Sequence, residues 1–150
     1  MTIQPAAPDD IDAVRDLLKT VGLPHEDLTP AHLEHFLVAC DEEALRGIVG
    51  LEPHGDVALL RSLAVAPACR NEGLGGRLVN ATQWHARAEG IRTLYLLTTT
   101  AADYFGTHGY KRIDRDELPE AIQQTEEAAR LCPASATYMR KALRANEPRT

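Results

Sequence analysis

In a chain of 150 residues, the stretch from Leu59 to Val79, LLRSLAVAPACRNEGLGGRLV, concentrates the residues able to do chemistry. An apolar run ends in Leu63-Ala64-Val65, Pro67 stops it, and Arg70-x-x-Gly73-x-Gly75-Gly76 opens a run with helical spacing. Glycines let the backbone approach a ligand closely and take up positive φ. The N–H groups of a helix's first turn lack intrahelical partners and carry the positive end of the dipole. Together these features make a pyrophosphate site, cradled by Arg70, Asn71, Glu72, Gly73, Leu74, Gly75 and Gly76, with Arg70 adding a full charge. Two commoner phosphate loops are excluded by the spacing. A Walker loop ends in Gly-Lys-Ser/Thr, whereas Gly75 is followed by Gly76-Arg77-Leu78; a dinucleotide fingerprint needs G-x-G-x-x-G and a distant acidic residue.

Other candidates lie nearby. Arg61 is two residues from Leu63, so strand alternation predicts both side chains on one face, where a guanidinium could grip a carboxylate bidentately. Thr98, near the end of a later apolar run, could offer its hydroxyl to the same cleft. His32 and His35 are three apart on a predicted helix, a spacing that can bind zinc, but no further Cys/His pair has ligand spacing, and no metal is expected. Cys69 beside Arg70 could have a lowered pKa, yet it reads as an ordinary half-buried thiol.

The elements that must position these residues follow from periodicity. Thr2 to Ala6 reads as a strand, and Asp9 caps a helix whose face is Ile11, Val14, Leu17, Leu18 and Val21. Gly22 and Pro24 end it, and Pro30 starts a short second helix. Phe36 to Cys40, Leu45 to Leu51 and Val57 to Val65 read as an antiparallel meander, broken at Asp41-Glu42-Glu43 and at Pro53-His54-Gly55-Asp56. A helix from Leu74 to Glu89 should bury Leu74, Leu78, Ala81, His85 and Ala88. Then come a strand at Thr93 to Thr99, a short helix at Ala101 to His108, and a strand at Tyr110 to Ile113. A helix with Leu118, Ile122, Thr125, Ala129 and Cys132 on one face and a last strand at Ala136 to Leu143 complete the chain before a polar tail at 144–150. The order mixes a meander with a strand-helix-strand crossover, so the expectation is one α+β domain over residues 1–150, with a mixed, mostly antiparallel sheet flanked by helices.

Composition narrows the partners. With 44% hydrophobic and 25% charged residues and a net charge of -6, the chain is ordinary for a globular domain and disfavours polyanions; no basic stripe points to nucleic acid. Three unpaired cysteines and an N-terminus without a basic, apolar leader predict a cytoplasmic protein, and no apolar run is long enough to span a bilayer.

The combination Val65-Ala66-Pro67 and Arg70-Asn71-Glu72-Gly73-Leu74-Gly75 resembles the signature of the GNAT acetyltransferases, a strand ending in V-x-P followed by R-x-x-G-x-G/A opening a helix. That resemblance implies a GNAT-type fold, with acetyl-CoA as cosubstrate and no metal. It also implies that Leu63, Ala64 and Val65 offer backbone groups to the pantetheine arm, and that residues Arg70 to Gly76 hold the CoA pyrophosphate. Many relatives carry a tyrosine in a stretch like A-x-x-F-Y-x-x-x-G-F, where it protonates the departing thiolate. This chain has Ala101-Ala102-Asp103-Tyr104-Phe105-Gly106-Thr107-His108-Gly109-Tyr110, so Phe105 occupies the tyrosine position beside the cofactor. Tyr104, about 100° away around the helix, cannot simply take that tyrosine's place, and stands as a catalytic candidate beside a plain packing role. The usual strand glutamate is replaced by Leu59 and Leu60, leaving Glu52, Asp56 or solvent to take the amine's proton.

LTTTAADYFGTHGY is similar to the corresponding stretch of bacterial N-acetylglutamate synthase domains. Together with LRSLAV and Leu131-Cys132-Pro133-Ala134-Ser135-Ala136, it is similar also to small acetyltransferases of bacterial arsenic-resistance operons. Those resemblances imply acetylation of the amine of a small amino-acid-like molecule, an arsenic-containing glutamate analogue among the candidates, and they leave a homodimer open. Two other readings remain: a degenerate acyl-CoA-binding sensor, or an acetyltransferase of a protein amine.

Overall fold

The computed structural model describes residues 1–125, 128 and 136–143. Its strands are β1 (Thr2–Pro5), β2 (Phe36–Cys40), β3 (Leu45–His54), β4 (Val57–Val65), β5 (Thr93–Thr98), β6 (Lys111–Ile113) and β7 (Thr137–Ala142). They form a seven-stranded sheet in the order β1-β2-β3-β4-β5-β7-β6. Helices α1 (Ile11–Val21), α2 (Leu74–Ala88), α3 (Ala102–Thr107) and α4 (Glu120–Gln123) complete the α+β arrangement. The chain forms two compact units, Met1–Glu52 with Leu60–His85, and Pro53–Leu59 with Ala86–Thr150. Among the described residues, no helix is long and apolar enough to cross a membrane.

In the first unit β1 pairs antiparallel with β2, and β2 with β3, where the register shifts between Ala39 and Cys40. The turn between β2 and β3 is closed by Asp41, whose carboxylate accepts from the Glu43 and Ala44 N–H groups and from Arg46 Nε, each at 2.8 Å. Those bonds, the Arg46 one foremost, hold its carboxyl at about 2. Val14, Leu17 and Leu18 of α1 are buried in a core with Leu28, Leu33, Phe36, Val38 and Ile48. Each such side chain contributes about 1.5–3 kcal/mol by leaving water. Gly22, at φ 77°, ends α1 in the left-handed conformation glycine adopts without strain. Asp10, rather than Asp9, supports the helix start: its carboxylate accepts from the Ala7 N–H at 2.7 Å.

Two glycines on β3 are positions where only a missing side chain fits. A Cβ on Gly50 would lie 2.3 Å from Cζ of Phe36, whose ring covers it from β2. At Gly47 a Cβ would lie 3.0 Å from Leu78 Cδ1 and 3.2 Å from Leu74 Cδ2, so the first turns of α2 rest directly on β3 backbone.

In the second unit β4 pairs parallel with β5 from Val57↔Thr93 to Leu59↔Tyr95, the pairing a helical crossover through α2 permits. β7 pairs antiparallel with both β5 and β6. Leu59, Tyr95, Leu118, Ile122 and Tyr138 form its core.

Two expectations need correction. β3 runs through Pro53 to His54, so only Gly55 and Asp56 turn the chain. The buried face of α2 is Leu74, Leu78, Val79, Thr82, Gln83 and Ala86, while Ala88 is exposed. The expected stripe repeats every 3.5 residues; a straight helix has 3.6, and its face drifts toward Val79, Thr82 and Gln83. Of the helix expected around Leu118 to Cys132, α4 and the buried Leu118, Ile122 and Thr125 are seen; Ala129 and the Leu131–Ser135 segment lie outside the described residues.

Candidate active site

Between the end of β4 and the start of α2 the backbone turns through two left-handed residues into a helix start with open N–H groups. Pro67 opens a 3-10 turn over Pro67–Cys69, and Ala66 N–H donates to Arg46 O at 2.7 Å, anchoring the strand end. Asn71 and Gly73 then take positive φ, 67° and 79°. A Cβ on Gly73 would meet nothing within 4 Å, so conformation, not space, asks for glycine there. Left-handed residues interspersed in a turn aim successive N–H groups into one concavity, an arrangement suited to anions. The first helical bond is Arg77 N–H to Gly73 O at 3.2 Å, which leaves the N–H groups of Leu74, Gly75 and Gly76 without intrahelical acceptors. Arg70 is exposed, with a long 3.4 Å contact from its Nε to Val65 O. This donor set fits a pyrophosphate: oriented N–H groups, a helix of 15 residues behind them and a guanidinium able to move onto the ligand.

Upstream, β4 departs from regular alternation. Ser62 has φ 61°, a conformation costly for a residue with a Cβ. Arg61 and Ser62 are consequently both buried, at 2% and 6% exposure, with Leu63 half-buried and Ala64 buried. The left-handed Ser62 interrupts the regular strand geometry on which the alternation of Arg61 and Leu63 rests. Val57 to Leu59 of β4 pair with β5 in the second unit, whereas Leu63, Ala64 and Val65 belong to the first.

Arg61 is fully engaged by the protein. Its Nη1 and Nη2 donate to the two carboxylate oxygens of Asp27 at 2.6 and 2.9 Å, its Nη1 also to Glu52 Oε1 at 2.5 Å, and its Nε to Ser62 Oγ at 3.1 Å. Burial alone would raise the Asp27 carboxyl, but the Arg61 hydrogen bonds and charge, helped by His32, bring it below its ordinary 3.8. The expected fork around a substrate carboxylate is thus occupied by Asp27. Of the two candidate proton acceptors, Glu52 is held in place, with its side chain 16% exposed, whereas Asp56 sits exposed on the β3–β4 turn. Neither Asp27 nor the left-handed Ser62 was legible beforehand; the available signal was an arginine inside the apolar run LLRSLAV, which demands a buried counter-charge.

Thr98, Tyr104 and Phe105 belong to the second unit. Thr98 Oγ1 accepts from the Ala101 N–H at 2.9 Å and so closes the turn into α3. Phe105 points inward, 6% exposed, its ring edge-on to Tyr110 with centroids 5.6 Å apart. Tyr104 is 37% exposed and rests on His108, centroids 4.8 Å apart; partial burial raises its phenol, which stays protonated at neutral pH. The two aromatics diverge as adjacent helical positions must. Lys141 Nζ donates to His108 O at 2.8 Å, a cation at the end of α3.

The histidines also separate. His32 Nδ1 accepts from the Thr29 N–H at 3.1 Å and caps its own turn, while His35 Nδ1 lies 3.3 Å from His85 Nε2.

Residues 32–112 match the acetyltransferase (GNAT) domain family. The amino-acid acetyltransferase of Pseudomonas syringae pv. syringae is 31% identical over 127 residues, 79% of this chain and 29% of that protein. The amino-acid acetyltransferase of Pseudomonas fluorescens is 33% identical over 96 residues, 64% of this chain and 21% of that protein. The chain therefore spans less than a third of these curated relatives. The N-acetylglutamate synthase of Neisseria gonorrhoeae, solved with coenzyme A and N-acetyl-glutamate, superposes with a TM-score of 0.82 over 95% of this chain and 35% of that one, at 24% identity. With a GNAT match across more than half its length, the glycine turn after β4 and this sheet order, the chain belongs to the GNAT acetyltransferase domain family.

Proposed function

We propose that this chain is a single cytoplasmic acetyltransferase domain over residues 1–150, ending in a polar tail. It transfers the acetyl group of acetyl-CoA to the amine of a small amino-acid-like molecule, and an arsenic-containing glutamate analogue is one acceptor to test. The observation that carries the reading is the turn Arg70–Gly76, where free N–H groups open α2 beside an exposed arginine. It takes the CoA pyrophosphate, and the backbone of Leu63, Ala64 and Val65 takes the pantetheine arm. The amine attacks the thioester carbonyl directly, forming the C–N bond as the C–S bond breaks. Holding both reactants supplies most of the acceleration. Glu52, held in place by Arg61, accepts the amine's proton through water. Arg61 acts as a positioning residue for Glu52, and the acceptor's carboxylate is gripped elsewhere. The thiolate leaves unprotonated or takes a proton from water, because buried Phe105 has no hydroxyl to offer. A likeness to amino-acid acetyltransferases supports the substrate class.

The buried Phe105 also favours one rival, a sensor that binds acyl-CoA without turnover. A thiol-release assay over amino acids, their amides, phosphono and arseno analogues and basic peptides separates the readings. Release with carboxylate-bearing amines is expected. Binding of acetyl-CoA with no release across the panel would establish the sensor, and release with peptides alone would establish a protein acceptor.

A further inference from the structure

Outside the site just described, His35 and His85 bring two ring nitrogens together from elements 50 residues apart. His35 ends the Pro30–His35 turn before β2, and His85 lies on α2; both are half-buried, with ring centroids 5.6 Å apart and planes inclined by 47°. Their nitrogens, at 3.3 Å, are within reach of a direct hydrogen bond between the rings. Two imidazoles bound to a tetrahedral ion at about 2.0–2.1 Å have their nitrogens roughly 3.3–3.4 Å apart. The same separation therefore also fits the bite of a shared metal. Two imidazole nitrogens, with water completing a tetrahedron, suit a borderline divalent ion such as Zn²⁺ rather than Mg²⁺.

The other cluster of metal-ligating side chains among the described residues, Asp27, His32 and Glu52, makes a useful contrast. There the Arg61 guanidinium already neutralises the carboxylates, and His32 Nδ1 is used by Thr29. Among the described residues, no cation and no backbone group bonds to the His35–His85 pair, so it is the better ligand set.

We propose that His35 and His85 supply the protein ligands of a zinc-class site that clamps the turn before β2 to helix α2. The site is independent of acetyl transfer and stands or falls apart from it. Tag-free protein treated with EDTA should bind one equivalent of Zn²⁺ in calorimetry, show a tetrahedral Co²⁺ absorption band, and ignore Mg²⁺. Zinc at a hundredfold excess over Kd should raise Tm by about 5–10 °C for a chain of this size. His35→Gln and His85→Gln should each weaken Zn²⁺ at least about 100-fold, the upper end of what losing even an outer ligand partner costs. Their circular dichroism and Tm in EDTA should match the parent. Should His35→Gln unfold, the Co²⁺ band still decides, since it must be present in the parent and absent from His85→Gln. The proposal is overturned if no stoichiometric Zn²⁺ binds, or if binding survives removal of both histidines.

Discussion

Arg61 and Arg70 are nine residues apart on the same strand and turn, yet they do opposite work. Arg61 is 2% exposed and meets three protein oxygens of Asp27 and Glu52 at 2.5–2.9 Å. Arg70 is exposed, and its contact with Val65 O is 3.4 Å long. Burying a guanidinium costs several kcal/mol, which only close carboxylates offset, so Arg61 is committed to the fold before any ligand arrives. Arg70 keeps its water and its freedom, and can transfer its charge to a phosphate at little cost. Charge held inside the protein positions other groups; charge left outside is available for binding.

That contrast can be broken most forcefully at Arg61. Arg61→Met strands two acids in a site meant for an ion pair and should cost about 3–5 kcal/mol. For a 150-residue chain that lowers Tm by roughly 6–20 °C. The pH dependence gives the sign. In the parent, the lowered Asp27 carboxyl contributes stability that is present above its ordinary 3.8 and lost as pH falls through the folded value. In the variant, burial without the arginine raises that carboxyl, so acidification relieves the defect. Urea midpoints at pH 7 and pH 4 should therefore lie closer together for parent and variant at the lower pH. A gap that does not narrow would mean Asp27 is not the group involved.

At the open site the effects fall on binding. Gly75→Val blocks backbone approach and should weaken acetyl-CoA by about 100-fold or more, equivalent to losing two charge-assisted hydrogen bonds. Valine is better tolerated than glycine inside a helix, so Tm should hold. Unchanged affinity by calorimetry in the folded variant would show the cofactor turn has been assigned to the wrong residues. Arg70→Ala should cost about tenfold in CoA affinity, an effect that shrinks in high salt, with stability within about 0.5 kcal/mol of the parent. A large loss of stability there would erase the distinction between the two arginines. Tyr104→Phe is the smallest step. Turnover should fall less than about tenfold, below the range of a general acid. A thousandfold drop in kcat would instead make Tyr104 the proton donor.

The order of elements and the glycine-bearing turn before α2 were readable from local pattern alone. Proline, two spaced glycines and an arginine before an apolar helical stripe make a strand-turn-helix junction wherever they occur, because the required φ values and free N–H groups are properties of a few consecutive residues. The outward Tyr104 and inward Phe105 were equally local, a consequence of helical rotation. Tertiary structure decided the rest. Asp27 reaches Arg61 across 34 residues and His85 reaches His35 across 50, with no pattern in the chain linking either pair. The left-handed Ser62 breaks the regular strand geometry beside Arg61. Short-range preferences are written in spacing, whereas a buried charge takes whichever counter-charge the packed chain brings to it, and that choice exists only once the fold has formed.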